Sequence, residues 1–119
     1  MRTVNLAEKF ALFSDHWNPR LIGEVNDFQV KAVKVLGTFD WHRHETEDEM
    51  FLVVRGVLTM RFRDREEQVG PGAFIVVPAG IEHQPHADTE VEMLLIERAG
   101  VVNTGDQITE RTRTTLERL

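Results

Sequence analysis

Side chains that bind metals concentrate in residues 42–49, which read His-Arg-His-Glu-Thr-Glu-Asp-Glu. His42 and His44 are separated by one residue, so on a β-strand both side chains project from the same face. Two neutral imidazoles and the carboxylate of Glu49 are ligands that divalent transition metals accept. The stretch therefore predicts part of a metal site that needs a fourth ligand.

A second segment, residues 72–83, supplies that ligand. It begins at Gly72, reaches a tight Pro-Ala-Gly turn at residues 78–80 and then presents His83. Read as a strand followed by a turn that redirects the chain, the segment places His83 on the inner face with the other three groups. The predicted ligands are His42, His44, Glu49 and His83. Because the chain has no cysteine, a thiolate site is excluded.

The elements that position these groups are predicted to be strands, preceded by a short N-terminal helix. Asn5 and Glu8 form a capping box, and the helix should end before the Asn-Pro pair at residues 18–19. Its apolar stripe consists of Leu6, Phe10 and Phe13. His16 and Trp17 are expected to anchor the helix end. From Leu21 onward, about eight or nine short strands at a spacing of roughly 8–12 residues predict a β-sandwich or barrel.

Two features of the strand pattern lead to further expectations. Residues 50–54 and 57–63 are predicted to form a hairpin that turns at Gly56. Residues 50–54, 74–77 and 94–96 are apolar on both faces, whereas a barrel wall that faces water alternates apolar with polar residues. Either the N-terminal elements or a second subunit must cover the outer face, and a homodimer is expected.

Length and charge limit the function classes. A chain of 119 residues is expected to be a single domain spanning residues 1–119. The formal net charge of −6 argues against a nucleic-acid partner, because phosphate binding needs a basic face. No apolar run approaches the ~18 residues of a membrane span, and no secretory signal is visible. The expected location is the cytoplasm, without membrane partners.

Residues 37–56 and 72–83 resemble the two sequence motifs of the cupin superfamily. The matching positions are Gly37, His42, His44, Glu49 and Gly56 in the first motif, and Gly72, Pro78, Gly80 and His83 in the second. The first motif is one residue shorter than the commonest spacing before its first histidine, and Ala87 stands where many members have Asn. The resemblance implies an all-β fold, a single double-stranded β-helix or jelly-roll barrel, whose four motif ligands bind one metal.

The pocket wall is predicted from strand parity and is expected to be mostly apolar. The candidates are Phe39, Phe51, Val53, Leu58, Met60, Phe62 and Ile75, together with His86, which Pro85 could turn inward. The acidic residues Glu45, Glu47 and Asp48 are expected to form a solvated loop at the mouth. An apolar pocket with a polar metal site suits a small organic ligand that carries one or two oxygens.

The expected cofactor is one divalent transition metal, with Fe, Mn, Zn, Ni and Co all open. Resemblance to cupin enzymes implies a dioxygenase or an isomerase or lyase, with Glu49 as the candidate base. The alternative is a non-catalytic small-molecule-binding or sugar-binding module or sensor. No basic clamp for a phosphate is visible, because Arg43, Arg61 and Arg63 alternate away from the ligands, so the small-molecule substrate is expected to be weakly charged.

Overall fold

The structure, a computed structural model, describes residues 1–119. It contains one short helix and eight strands, which confirms the all-β prediction with a short N-terminal helix. The elements are α1 (Leu6–Phe10), β1 (Arg20–Val25), β2 (Phe28–Thr38), β3 (Glu49–Arg55), β4 (Leu58–Arg61), β5 (Glu66–Val69), β6 (Phe74–Val77), β7 (Gln84–Arg98) and β8 (Glu117–Arg118).

Strand β7 is the centre of the sheet because it pairs along both of its edges. One edge pairs antiparallel with β2 along most of its length. The other edge pairs first with β4, at residues 84–86, and further along with β3, at residues 92–96. Strands β5 and β6 pair with β4 and β3, respectively. Strand β7 is therefore continuous from Gln84 to Arg98, and Pro85 does not interrupt it.

The predicted hairpin at Gly56 is wrong. Strands β3 and β4 do not pair with each other but lie end to end along β7. Gly56 has a φ of 86°, and a Cβ added there would lie 2.7 Å from the carbonyl oxygen of Glu90. The residue therefore forms a bend that passes close to the β7 backbone, which only glycine allows. A glycine between two apolar runs gives the same sequence signal for a bend as for a hairpin.

Two apolar clusters lie on opposite sides of the sheet. The barrel interior contains Val53, Leu58 and Met60 among its fully buried side chains. The second cluster joins the N-terminal residues Phe10 and Phe13 to the outer face of the sheet. The N-terminal segment therefore covers part of the outer face, as one of the two sequence-based alternatives required.

The rest of the outer face stays open at strand β6. Phe74 and Val76 are exposed there, 57% and 44% respectively. The homodimer that would cover them stays a prediction.

The Asn5 side chain accepts a hydrogen bond from the amide of Glu8 at 3.0 Å, as predicted, but the helix ends at Phe10 and not near residue 18. No helix has the length and apolar character needed to cross a membrane, and the cytoplasmic location stays a prediction.

Candidate metal centre

Backbone pairing brings the four predicted ligands together at one end of the barrel. His42 and His83 face each other in a two-residue bridge, in which each amide donates to the other's carbonyl, at 3.1 and 2.9 Å. The His44 carbonyl accepts from the amide of Gly80 at 2.7 Å, which fixes the turn before His83. Glu49 is the first residue of β3. All four ligand side chains are buried, although they come from three separate segments.

The separations within the cluster match one metal ion. The four ligand atoms all lie within 4.8 Å of one another. The Oε1 atom of Glu49 lies 3.1 Å from His44 Nε2 and 3.7 Å from His83 Nε2. With metal–ligand bonds of about 2.1 Å, adjacent ligand atoms of an octahedral ion lie about 3 Å apart and opposite ones about 4.2 Å apart. The residues present therefore fit a single ion, which three imidazoles and one carboxylate would hold.

The hydrogen bonds of two imidazole rings fix their tautomers. Nδ1 of His42 lies 2.9 Å from the carbonyl of Asp40, and Nδ1 of His83 lies 2.9 Å from the carbonyl of Ile81. A carbonyl only accepts, so both Nδ1 atoms carry the proton and both Nε2 atoms present a lone pair to the cluster. His83 Nε2 is buried and has no hydrogen-bond partner. A buried nitrogen without a hydrogen-bond partner is rare in proteins and indicates a position at which a ligand such as a metal ion would bind.

The ionisation states in the cluster also suit a cation. Burial, together with the neighbouring His83, lowers the pKa of His42 to about 4. Burial alone would raise the pKa of Glu49, but the hydrogen bond from His44, together with the nearby ring of His83, outweighs it and holds that pKa well below its usual range. At neutral pH His42 is therefore neutral and Glu49 is ionised, which are the forms that bind metals.

A small cavity lies beside the ligands. Its volume is about 30 Å³, and His42 and Glu49 form part of its wall. About 10–15 Å³ of such space is enough to hold one water molecule, so the cavity has room for one or a few waters. Phe39 and Phe51 line it, as the strand parity predicted.

The other predicted pocket residues do not line this cavity. Leu58 and Met60 are fully buried in the barrel interior. Phe62 and Ile75 pack against the interior cluster and also border a separate groove of about 760 Å³, in which none of the four ligands takes part. The ring of His86 turns away and contacts Thr38 Oγ1 and Asp88, each at 2.7 Å. The alternation of side chains along a strand predicts which of them point into the barrel. It does not predict how far along the barrel they lie, and this position decides which inward side chains reach the ligands.

Trp17 is part of the site although the sequence predicted only an anchoring role. It lines the cavity, and its ring stacks on Phe39 with centroids 4.7 Å apart. Its Nε1 donates to the carbonyl of Leu36 at 2.9 Å, and its amide donates to the carbonyl of Lys34 at 2.9 Å. These are long-range contacts to β2, and no spacing rule relates Trp17 to the ligand motifs.

Residues 103–112 lie over the mouth of the barrel and are called the C-terminal cover. At Gly105, φ is 59°, and an added Cβ would meet the carbonyl oxygen of Arg43 at 2.2 Å and a His42 ring carbon at 3.1 Å. The amide of Asp106 donates to the carbonyl of Arg43 at 2.9 Å, and the Arg43 amide donates to the Asp106 carboxylate at 3.0 Å. The cover therefore packs directly on the segment between β2 and β3 that carries His42 and His44.

Side chains hold the remainder of the cover in place. Asn103 lines the cavity beside the ligands. Thr109 donates to the Asp40 carboxylate at 2.9 Å, and Arg111 donates to the carbonyl of Thr38 at 2.7 Å. The guanidinium of Arg111 also lies over the rings of Trp17 and Phe39. These contacts follow no periodic pattern in the sequence of residues 103–112.

The acidic loop lies beside the cover. Glu45 and Glu47 border a surface depression of about 270 Å³ that also reaches His44. Glu45 contacts Arg43 at 2.9 Å, and Asp48 accepts from the amide of Ala79 at 2.9 Å. Asp48 therefore secures the turn before His83, in addition to being exposed as expected.

Known proteins resemble this chain in sequence and in fold. Residues 31–97 match the family model described as Cupin domain. The uncharacterized protein YdbB of Bacillus subtilis (strain 168) is 34% identical over 91 residues, which cover 76% of this chain and 74% of that protein.

Two solved structures are also similar. A cupin-2 domain containing protein from Shewanella frigidimarina is 45% identical with a TM-score of 0.79, covering 80% of this chain and 93% of that one. Protein NMB1881 from Neisseria meningitidis is 30% identical with a TM-score of 0.76, covering 82% and 100%. The two motifs, the barrel and these matches agree, and the chain belongs to the cupin family.

Proposed function

We propose that this protein is a mononuclear metal-dependent enzyme that acts on a small organic substrate at the barrel mouth. The observation that carries the proposal is the buried cluster of three imidazoles and one carboxylate with an orphaned His83 Nε2. A bound divalent transition metal would supply Lewis acidity toward a substrate oxygen or, if it is iron, reactivity with dioxygen. Four protein ligands leave positions of a six-coordinate ion for a substrate.

The residues of the chain would orient the substrate and handle protons. Glu49 is the one carboxylate among the four ligands, and its ionised state makes it the candidate proton acceptor. The rings of Trp17, Phe39 and Phe51 give the neighbouring cavity an apolar wall that limits water near the reacting groups.

The charges around the mouth support a weakly charged substrate. The guanidinium of Arg43 lies 2.9 Å from Glu45 and 3.7 Å from Asp106. Arg61 and Arg63 are likewise paired, each with a glutamate. Each of these cations already has a carboxylate partner, so none is free to hold a phosphate.

Access to the site would require movement of the C-terminal cover. The cavity of about 30 Å³ is too small for an organic substrate. The cover is joined to the barrel mainly by hydrogen bonds of Asp106, Thr109 and Arg111, which can break without disturbing strand pairing. We therefore propose that the substrate enters when residues 103–112 move away.

The alternative function is a non-catalytic small-molecule-binding or sugar-binding module or sensor. The small volume of the cavity beside the ligands would also suit a site that binds a small ligand without converting it. Both functions use the same four ligands, so they differ in turnover and not in metal content.

Elemental analysis of untagged protein, combined with oxygen-uptake assays, tests the proposal. We expect about one transition metal per chain, and none in the folded His42→Ala/His44→Ala variant. Iron with oxygen uptake on enediol or phenolic substrates would indicate a dioxygenase. Manganese, zinc, nickel or cobalt with conversion but no uptake would indicate an isomerase or lyase. A folded wild-type protein without metal contradicts the proposal, and metal without turnover supports the sensor.

A further inference from the structure

A buried ion pair lies next to the metal ligands. The Lys31 ammonium is 2.7 Å from Glu97 Oε1, and the two side chains are only 3% and 1% exposed. Apolar residues of similar size usually stabilise a fold as well as a buried ion pair does, or better, because burying charges is costly. Stability alone therefore does not explain why this barrel contains charges at these positions.

Strand register places Glu97 beside Glu49. Met50 of β3 pairs with Ile96 of β7, so the next position along the ladder sets Glu49 against Glu97. Residues that face each other across antiparallel strands project from the same side. Both side chains are buried in the barrel interior, and side chains that face each other in this way have Cβ atoms about 5 Å apart, so the two carboxyl groups lie close enough to interact. The three groups therefore form a row in which Glu97 lies between the ammonium of Lys31 and the ligand Glu49.

The second oxygen of Glu97 has no other partner. Its Oε1 atom is bound to Lys31, whereas Oε2 is buried and receives no hydrogen bond from a protein donor. The carboxyl group that the strand register sets beside Glu97 is that of Glu49. Two carboxyl groups in contact either share a proton or repel each other, and in both cases the position of one constrains the other. Lys31 fixes Glu97, so Glu97 constrains the rotation of Glu49.

We propose that Glu97, anchored by Lys31, is a positioning residue that orients the Glu49 carboxylate for metal binding. The inference rests on the proposed metal centre and adds a fifth and a sixth side chain to it. Partners behind a metal ligand fix its orientation, and their removal commonly costs metal affinity by roughly 10- to 100-fold. Lys31→Met/Glu97→Leu should therefore raise the Co²⁺ dissociation constant roughly 10- to 100-fold while the protein stays folded.

The chain offers a matched control. Lys34 and Glu92 form an ion pair at 3.8 Å between the same two strands, β2 and β7, with side chains that are 12% and 16% exposed. Neither residue contacts a predicted ligand. Lys34→Met/Glu92→Leu removes the same two charges from the same strand pair and should leave Co²⁺ affinity unchanged.

The experiment is Co²⁺ titration of metal-free protein in competition with a chromophoric chelator, with the visible Co²⁺ spectrum and thermal unfolding recorded for each variant. We expect weaker binding and a changed spectrum in Lys31→Met/Glu97→Leu alone. Lys31→Met/Glu97→Gln should regain most of the lost affinity, because the amide can hydrogen-bond to Glu49.

Several outcomes would overturn the inference. Wild-type affinity and spectrum in folded Lys31→Met/Glu97→Leu would show that the pair is only structural. Equal losses in the Leu and Gln double variants would show that charge, and not positioning, is lost. Absence of Co²⁺ binding in the wild-type protein would instead contradict the metal centre itself, so the two failures are distinguishable.

Discussion

The ligand cluster and the C-terminal cover meet at the same barrel mouth but are held there by different interactions. His83 is fixed by two backbone hydrogen bonds to His42, in a two-residue bridge directly before β7. Thr104 is equally buried, yet it lies outside any strand and its hydroxyl bonds to Thr112, which belongs to the same cover. The ligand positions follow from the pairing of the whole barrel, whereas the cover can detach at the cost of a few polar contacts.

The largest expected difference between the two regions is in stability. Leu58 is completely buried in the barrel, whereas Ile108 in the cover is 93% exposed. Leu58→Ala should lower the free energy of unfolding by roughly 2–5 kcal/mol, since it leaves a cavity. Ile108→Ala should change it by less than about 0.5 kcal/mol. Urea unfolding measures both, and a similar loss in the two variants would show that the cover is part of the cooperative core.

The ligand cluster should also make stability depend on pH. The folded-state pKa of His42 is lowered from 6.5 to about 4, so the unfolded chain binds this proton more readily. The associated stability is complete above pH 6.5 and is lost as the pH falls toward 4, by about 3 kcal/mol for the metal-free protein.

A histidine variant isolates this contribution. Between pH 6.5 and 4, His42→Gln should lose less stability than the wild-type protein, whereas His16→Gln, a change at a partly exposed histidine outside the cluster, should follow the wild type. Urea unfolding across this pH range gives the comparison. If the free energy of unfolding falls with pH equally in His42→Gln and the wild type, His42 does not contribute to the pH dependence of stability.

A smaller effect should come from the contact between the two regions. Gly105→Ala places a methyl group against the Arg43 carbonyl, whereas Gly72, which also has a positive φ, has open space around it. Both changes incur the backbone cost of about 1–2 kcal/mol, but only Gly105→Ala adds overpacking of about 1–3 kcal/mol. The cover should therefore detach, and trypsin should cleave after Arg111 several-fold faster than in Gly72→Ala. Equal cleavage rates would show that the cover does not depend on this contact.

The two regions also differ in how far the sequence predicted them. The spacing of His42, His44 and Glu49 and the later Pro-Ala-Gly turn predicted the four side chains that the structure brings together, because both are local signals. Trp17 and Glu97 were missed, since only pairing across distant strands brings them to the cluster. The cover was missed because its contacts are side-chain hydrogen bonds without periodicity.

Strand continuity was harder to predict than strand existence. The alternation in residues 57–63 correctly indicated an inward face that includes Leu58 and Met60. The glycine at position 56 indicated a reversal, but pairing with β7 makes it a bend between collinear strands. The sequence could not distinguish the two, because the choice depends on which distant strand lies alongside.

Anomalous diffraction from a crystal of the protein grown with Mn²⁺ tests the central claim most directly. We predict one strong peak per chain within bonding distance, about 2.0–2.2 Å, of the imidazole nitrogens of His42, His44 and His83 and a carboxylate oxygen of Glu49. The peak should disappear in crystals of His83→Ala. A folded wild-type protein with no peak among these four side chains, or with its only peaks at surface carboxylates, would contradict the account.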